Sequence, residues 1–543
     1  MKKALSLILS VLLMVSLLAA CGGSSGGGSS TSGTTASGDG AVTVIIGGQS
    51  DVRTMDPGHM YEPYGNMFSY ASYDMLYRIE SGTMGTPEPS VATDYEVSED
   101  GLVYTFTLRE DVVFSSGNPL TAHDVVWSFN RVLNMPESNA YVNIKIVEKA
   151  EALDDYTVQI TLTEQDASFL VMLTANAYCI FDSEVVKEHG GSDNGGDTAQ
   201  DWLNNNSAGS GPYIIEKWTP KEEIVLAKNE NYWGKDAGID KIIFREMTSV
   251  DAQITALKNG DIDIALGLNG ETAKQLDGVE GISLSSGTTA LITFLVMNRD
   301  ETISPEMANP KVQEAVRAAL DYEGYLALSG EGSIVPLNFV QSGFDGALTR
   351  DLEADGQDIE KAKALMAEAG YADGFEITLT CGNNNSEGLE WTTIAEKVKQ
   401  DLAEIGITVN IETLEATLVY DKMAEASMPF YVMFWSPDFF DINNQLSFLP
   451  GTGENGSTYG NRTNWDIDEV NQAVIDAAAK VKVETDPELR AQYAEEMQEA
   501  FALDNPFAFI LQSPKTFAYN SELLATVTYN DLCKIELCEL RVN

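Results

Sequence analysis

Residues 90–131 leave the chain little local choice. Asp100-Gly101 is a turn signal. Behind it Leu102, Tyr104, Phe106 and Leu108 alternate with Val103, Thr105, Thr107 and Arg109, the period-two pattern of a half-buried strand with one polar face. Gly117 and Pro119 then break the chain. Thr121 and Asp124 have the spacing of a variant capping box, and Val125, Phe129 and Val132 recur at helical spacing. The segment reads as strand, turn, helix.

Elsewhere strands and helices follow one another. Strands are predicted over 42–46, 156–163, 262–266, 291–298, 375–380 and from Ile407 through Val409 to Ile411. Helices are predicted over 67–77, which is rich in aromatics, and over 249–259, closed by Asn259-Gly260. Asn309-Pro310 is an N-cap and N1 pair before the stripe Val312, Ala315, Val316, Ala319, Leu320. Asp358 caps a helix stopped by Gly370, and 392–405 is a helix stopped by Gly406. This succession is α/β, and 543 residues exceed one ordinary domain.

Charge removes one class of function. With 33 Lys+Arg against 83 Asp+Glu the net charge is −50, so nucleic acid is not a partner, since phosphate binding needs clustered cations. The N-terminus carries Lys2-Lys3, an apolar run over 4–18 and Leu18-Ala-Ala-Cys21, the pattern of a secretory signal too short to be a membrane span. Cys21 in that setting resembles a bacterial lipobox cysteine, which implies lipidation there. Residues 22–40 are almost wholly Gly, Ser and Thr, a flexible tether spanning about 22–26 Å root-mean-square. Gly23-Ser-Ser25-Gly-Gly27 fits a hydrolase pattern only formally, lying in that tether with no strand before it. Cys179, Cys381, Cys533 and Cys538 match no zinc or Cys-x-x-Cys spacing and read as buried free thiols.

The wording of 90–131, with Arg53-Thr-Met-Asp56-Pro57, Ala208-Gly-Ser-Gly-Pro-Tyr213 and Asn229-Glu-Asn-Tyr-Trp233, resembles the family 5 extracellular solute-binding proteins. These are the peptide- and nickel-binding receptors of bacterial ABC importers. Tyr232 and Trp233 themselves read as packing residues. The resemblance implies an α/β, two-lobed periplasmic-binding-protein-like fold (Venus-flytrap, class II type) with an extra subdomain in the N-terminal lobe. The implied divisions are a signal peptide over 1–20 and a lipidated cysteine and tether over 21–40. Lobe one is 41–295 with its subdomain near 80–210, lobe two is 296–510, and 511–543 returns to lobe one.

For chemistry the residues offer binding rather than catalysis. His59, His123 and His189 are scattered, and Asn383-x-Asn385-x-Glu387-Gly388 lacks the twelfth-position Glu of a calcium loop, where Ile394 stands. No enzyme activity, cofactor or metal is expected. The informative stretch is Phe434-Trp435-Ser-Pro-Asp438-Phe-Phe-Asp441, followed by Leu446-Ser-Phe-Leu. It resembles the peptide-binding members' segment in which Asp pairs with the peptide ammonium and Trp walls the cleft, which implies Asp438 as anchor and Trp435 as wall. The alternative is that Asp438 caps a helix beginning near Phe439. Tyr61 and Glu62 are further candidate contacts by the same resemblance, while Arg317, Arg350 and Arg462 have no context that singles out a carboxylate partner. The implied partners are a short peptide, separate permease and ATPase chains, and the extracytoplasmic face of the cell membrane through Cys21; the protein is expected to be a monomer. The same fold would also suit a nickel chelate, haem or oligosaccharide, or a peptide sensor without transport; the scarcity of His weighs against direct nickel ligation.

Overall fold

Two long strands, Ile282–Met297 and Phe507–Asn520, run antiparallel through the middle of a ten-stranded sheet. The computed structural model describes residues 41–543 apart from 51, 61–62, 139, 237, 331, 384, 387–388 and 452–458. Tyr61, Glu62 and Cys21, with the signal and tether assigned to 1–40, lie outside the described residues. On one side of the central pair the sheet continues through Ile264–Leu268, Thr43–Gly48, Lys241–Glu246, Glu223–Lys228 and Tyr213–Thr219. On the other it continues through Phe430–Trp435, Phe375–Gly382 and Ile407–Leu414. The central strands are therefore the only ladder that joins the two halves among the described residues, and their register shifts between Thr288 and Ile292 and again between Thr293 and Phe294.

The second half is built by parallel pairing. Phe375–Gly382 lies parallel to Ile407–Leu414, and the helix Trp391–Ala403 supplies the crossover that a parallel pair requires. Gly374 and Gly406, both at positive φ, meet where these strands begin. A Cβ on Gly374 would fall 1.9 Å from the Gly406 carbonyl oxygen, so only glycine fits.

The three largest apolar clusters among the described residues sit around this frame. One gathers Phe294, Val316, Trp391, Phe430, Phe448 and Phe507. A second gathers Tyr73, Phe106, Phe129, Ile160, Phe181 and, from far along the chain, Phe439. The third packs Ile46, Phe68 and Phe244 against Ile535 and Leu537 of the chain's last stretch. The second cluster is covered by a four-stranded antiparallel sheet of Ala92–Val97, Val103–Leu108, Thr157–Leu162 and Val147–Asp154. Val103–Leu108 is the strand expected there, with Phe106 and Leu108 buried and Thr107 exposed. The helix that follows is Ala122–Leu133, and the Asp124 carboxylate accepts from the Thr121 N–H (3.0 Å) and hydroxyl (2.8 Å).

Two elements depart from their sequence readings. The helix expected over 67–77 is Pro63–Ser72, and Tyr77–Ile79 is a strand. Pro63 sits well at the start of a helix. Past the helix end Asp74 is held out by the Trp233 indole N–H (2.8 Å) and the Ser210 hydroxyl (2.8 Å). The same bond, with Arg109 over the Trp233 ring at 4.4 Å, makes Trp233 a packing residue as expected. The strand expected over 291–298 begins nine residues earlier, at Ile282. Its first part is rich in Ser, Thr and Gly and loses any alternation after Ser285, yet it pairs residue by residue with 514–520. The four cysteines are free thiols, with Cys179, Cys381 and Cys533 buried and Cys538 half-buried.

Arg131, at the end of the signature helix, is wholly buried between two carboxylates. It donates to both oxygens of Asp56 (2.9 and 2.7 Å) and of Asp197 (2.8 and 2.9 Å). Burial alone would raise the Asp56 carboxyl, but the Arg131 guanidinium, helped by hydrogen bonds from Arg131 and His59, holds it well below the usual carboxylate range. Arg131→Met leaves two carboxylates buried without their cation, and urea denaturation should report a loss of about 3–5 kcal/mol at neutral pH. Because folding lowers the Asp56 pKa, its contribution is present above the unfolded value of about 3.9 and fades as pH falls through the folded one. The gap between the variant and wild type should therefore narrow in acid.

Candidate functional site

The strand Phe430–Trp435 ends at Trp435, opposite Ile292 of the central pair. Pro437 cannot donate to a ladder, so the chain turns. Trp435 is buried and stands edge-on to Phe448 (5.3 Å between centroids) and Tyr459 (6.3 Å), which stack on each other at 4.9 Å. These three rings form one apolar wall at the sheet end. Asp438 follows it, half-buried, with its N–H donating to Asn444 Oδ1 at 2.8 Å.

The helix after the turn is Ile442–Gln445, and its cap is Asp441. Asp441 Oδ1 accepts from the Asn443 N–H at 2.9 Å, and both Asp441 oxygens take the Arg490 guanidinium, one at 2.7 Å from Nη1. Asp438 is thus not the cap, and the helix-cap alternative for it is corrected. Asn444 and Asp441 together fix the turn so that Asp438 stands beside the aromatic wall.

Tyr459 records the charges around it. Burial pushes its phenol well above the usual value, the Arg462 guanidinium pulls it down, and the Asp438 charge adds to the rise. Arg462 lies 4.9 Å over the Tyr459 ring, and among the described residues its Nε is buried with no hydrogen-bond partner. The other two arginines have structural work. Arg317 donates to the Asn505 carbonyl at 2.6 Å, and burial lowers it to about 10; Arg350 lies over Tyr322 at 4.4 Å. The sequence reading joins Leu446-Ser-Phe448-Leu to this stretch but does not find Tyr459 as a neighbour of Trp435, or Arg462 behind it, because no spacing rule links a strand end to a segment past the next helix.

The turn also reaches other bodies of the fold. Phe439 enters the apolar cluster of the four-stranded sheet. Phe440 packs with Ile79, Ala290 and Leu532. The Asn443 amide Nδ2 donates to Asp166 at 2.7 Å. An open hollow of about 640 Å³ lies elsewhere, lined by Glu222, Glu223, Arg245 and Asp261 of the outer strands, and shares no residue with this turn.

An α/β body whose long sheet spans two halves, with an aromatic and acidic turn where they meet, is the architecture of a solute receptor. Residues 86–457, more than half of the chain, match the family described as bacterial extracellular solute-binding proteins, family 5 Middle, and the chain belongs to that family. The Escherichia coli (strain K12) protein named Probable D,D-dipeptide-binding periplasmic protein DdpA is 26% identical over 443 residues, 80% of this chain and 82% of its own. Heme-binding protein A of Haemophilus influenzae is 26% identical over 417 residues, 72% of this chain and 74% of its own. Among solved structures, the ABC transporter-associated periplasmic binding protein DppA from Helicobacter pylori, in complex with peptide STSA, superposes with a TM-score of 0.76 at 25% identity. That match covers 92% of this chain and 98% of the other. The fold is the two-lobed periplasmic-binding-protein-like α/β fold with its subdomain in the N-terminal lobe, as the resemblance implied.

The cap assignment is open to test. Asp441→Ala removes a cap and strands Arg490, so thermal and urea melts should register a loss of about 2–4 kcal/mol. Asp438→Ala should cost under about 1 kcal/mol. The reverse order of the two losses would return the cap to Asp438.

Proposed function

We propose that this protein is the lipid-anchored receptor of an ABC importer. It captures short peptides between two closing lobes on the extracytoplasmic face and hands them to a separate permease with its ATPases. Lobe one would be 41–295 together with 511–543, and lobe two 296–510. The proposal is supported by separate large apolar clusters and by a sheet whose halves join only through two central strands among the described residues. Binding and closure are the whole mechanism; no bond is broken.

The observation that carries the peptide reading is the turn itself. A zwitterionic ligand enclosed between lobes needs an anion for its ammonium, because an unpaired buried charge is costly. Asp438 supplies that anion beside the wall of Trp435, Phe448 and Tyr459, and aromatic faces accept varied side chains. Tyr61 and Glu62 would add a contact from lobe one. The D,D-dipeptide-binding relative and the peptide-bound structural neighbour favour the same ligand class. The haem-binding relative shows that the family's ligands vary. In this chain, though, the three imidazoles stand elsewhere: His59 on Asp56, His123 beside Asp155 and His189 stacked on Trp202. That arrangement favours an ammonium ligand over a metal chelate.

Asp438→Asn keeps the shape and removes the charge. Truncating one partner of a buried charge pair costs about 2–5 kcal/mol, or roughly thirty- to several-thousand-fold in affinity. Calorimetric titration should find that loss for trialanine and a much smaller one for Nα-acetyltrialanine, with circular dichroism unchanged. Equal affinities of wild type and variant for trialanine would end the anchor assignment.

Anchoring has its own test. Cys21→Ala should leave the precursor unprocessed or release the protein into the medium, read by detergent partition of cell fractions. A variant that partitions with membranes as wild type does would exclude lipid on Cys21.

A further inference from the structure

The turn that bears Asp438 also makes a polar contact between lobe two and the four-stranded subdomain. Asn443 Nδ2 donates to Asp166 Oδ1 (2.7 Å), 277 residues away, and to the Lys482 carbonyl (3.0 Å). The Ala167 N–H donates to that same carbonyl at 2.9 Å. Lys482 Nζ completes the seam on Glu164 at 2.6 Å. Each side is rigid in its own right. Asp166 is held by the Ser168 N–H (2.8 Å) within the subdomain. Across the seam, Arg490 ties the Asp441 cap to the Val481 carbonyl (3.0 Å), so the turn and the end of the helix Gln472–Val483 form one piece. A second contact runs beside it, where a Cβ on Gly85 would lie 2.5 Å from the Phe440 carbonyl oxygen.

The seam has one deliberate weakness. Among the described residues Asn443 Oδ1 is buried with no hydrogen-bond partner. An amide oxygen buried without a partner offsets part of what the Nδ2 bonds contribute, so the contact is weaker than its two hydrogen bonds alone suggest. We propose that Asn443 is a closure-dependent positioning residue: it pins the Asp438 turn to the 164–168 loop only when the lobes have shut, and so sets how long a ligand stays rather than how fast it enters. This rests on the reading of two closing lobes. Association is decided by the open form, where the seam does not exist, whereas release requires the seam to break.

Stopped-flow binding of trialanine tests this. Asn443→Ala should raise the dissociation rate about tenfold or more, the worth of a hydrogen bond to a charged group. The association rate and the ligand-free melting temperature should not move. A fall in the ligand-free melting temperature with an unchanged dissociation rate would make Asn443 an ordinary structural residue and overturn the proposal. A second arm needs no ligand. Asp166→Cys/Asn443→Cys joined by a short bis-maleimide should give a body more compact in small-angle scattering than the unlinked ligand-free protein. Cross-linking that leaves the scattering unchanged means that the seam stays shut throughout, which also overturns it. Failure of the wild type to bind trialanine would tell against the peptide reading, and the cross-linking arm would still decide the seam.

Discussion

A single guanidinium organises the first lobe. Arg131 comes from the signature helix, Asp56 from the segment after the first strand and Asp197 from a loop beyond the four-stranded sheet. Each carboxylate receives two hydrogen bonds from it, in the forked geometry that lysine cannot reproduce. Without that cation, two stretches of chain would bring buried carboxylates together with nothing to balance them. The two sequence signatures, Asp56-Pro57 and the 90–131 segment, are therefore two ends of one interaction. The same interaction fixes the start of the segment that leads to residues 61 and 62.

How much of this could be read in advance depended on distance along the chain. Local signals held. The Asn309 and Asp358 caps accept from Lys311 and Lys361 as their spacings require, and the 103–108 alternation is a strand with Phe106 inward. Such features are settled within a few residues, where periodicity and capping carry the energy. Long-range ones were not legible. The opening of the strand Ile282–Met297 has only Ile282 and Leu284 as an apolar pattern before a Ser/Gly/Thr run; its conformation is imposed by the partner 507–520. The helix expected through Tyr77 stops at Ser72 because Asp74 is bonded to Trp233, which no local rule foresees.

The candidate site divides in the same way. Trp435 and Asp438 stand out as a strand end followed by proline and acid. Their surroundings come from Phe448, Tyr459, Arg462 and Asp166, contributed by other parts of the chain. Even the choice between Asp438 and Asp441 as cap required the fold, since both are acids at the entry to a short helix. What separates them is the Asn443 N–H, which Asp441 accepts, while Arg490 from a distant helix holds the same carboxylate.

The thiols deserve a last word for what they permit. Burial pushes Cys179 and Cys533 well above the usual thiol range, raises Cys381, and lifts Cys538 to about 12. Thiolate is the reactive form, so at neutral pH all four are poor nucleophiles. A dye or spin label aimed at an engineered surface cysteine would therefore find that cysteine and leave the native ones alone. Among the described residues, then, a reporter attached for an optical sensor meets no readily reactive native thiol.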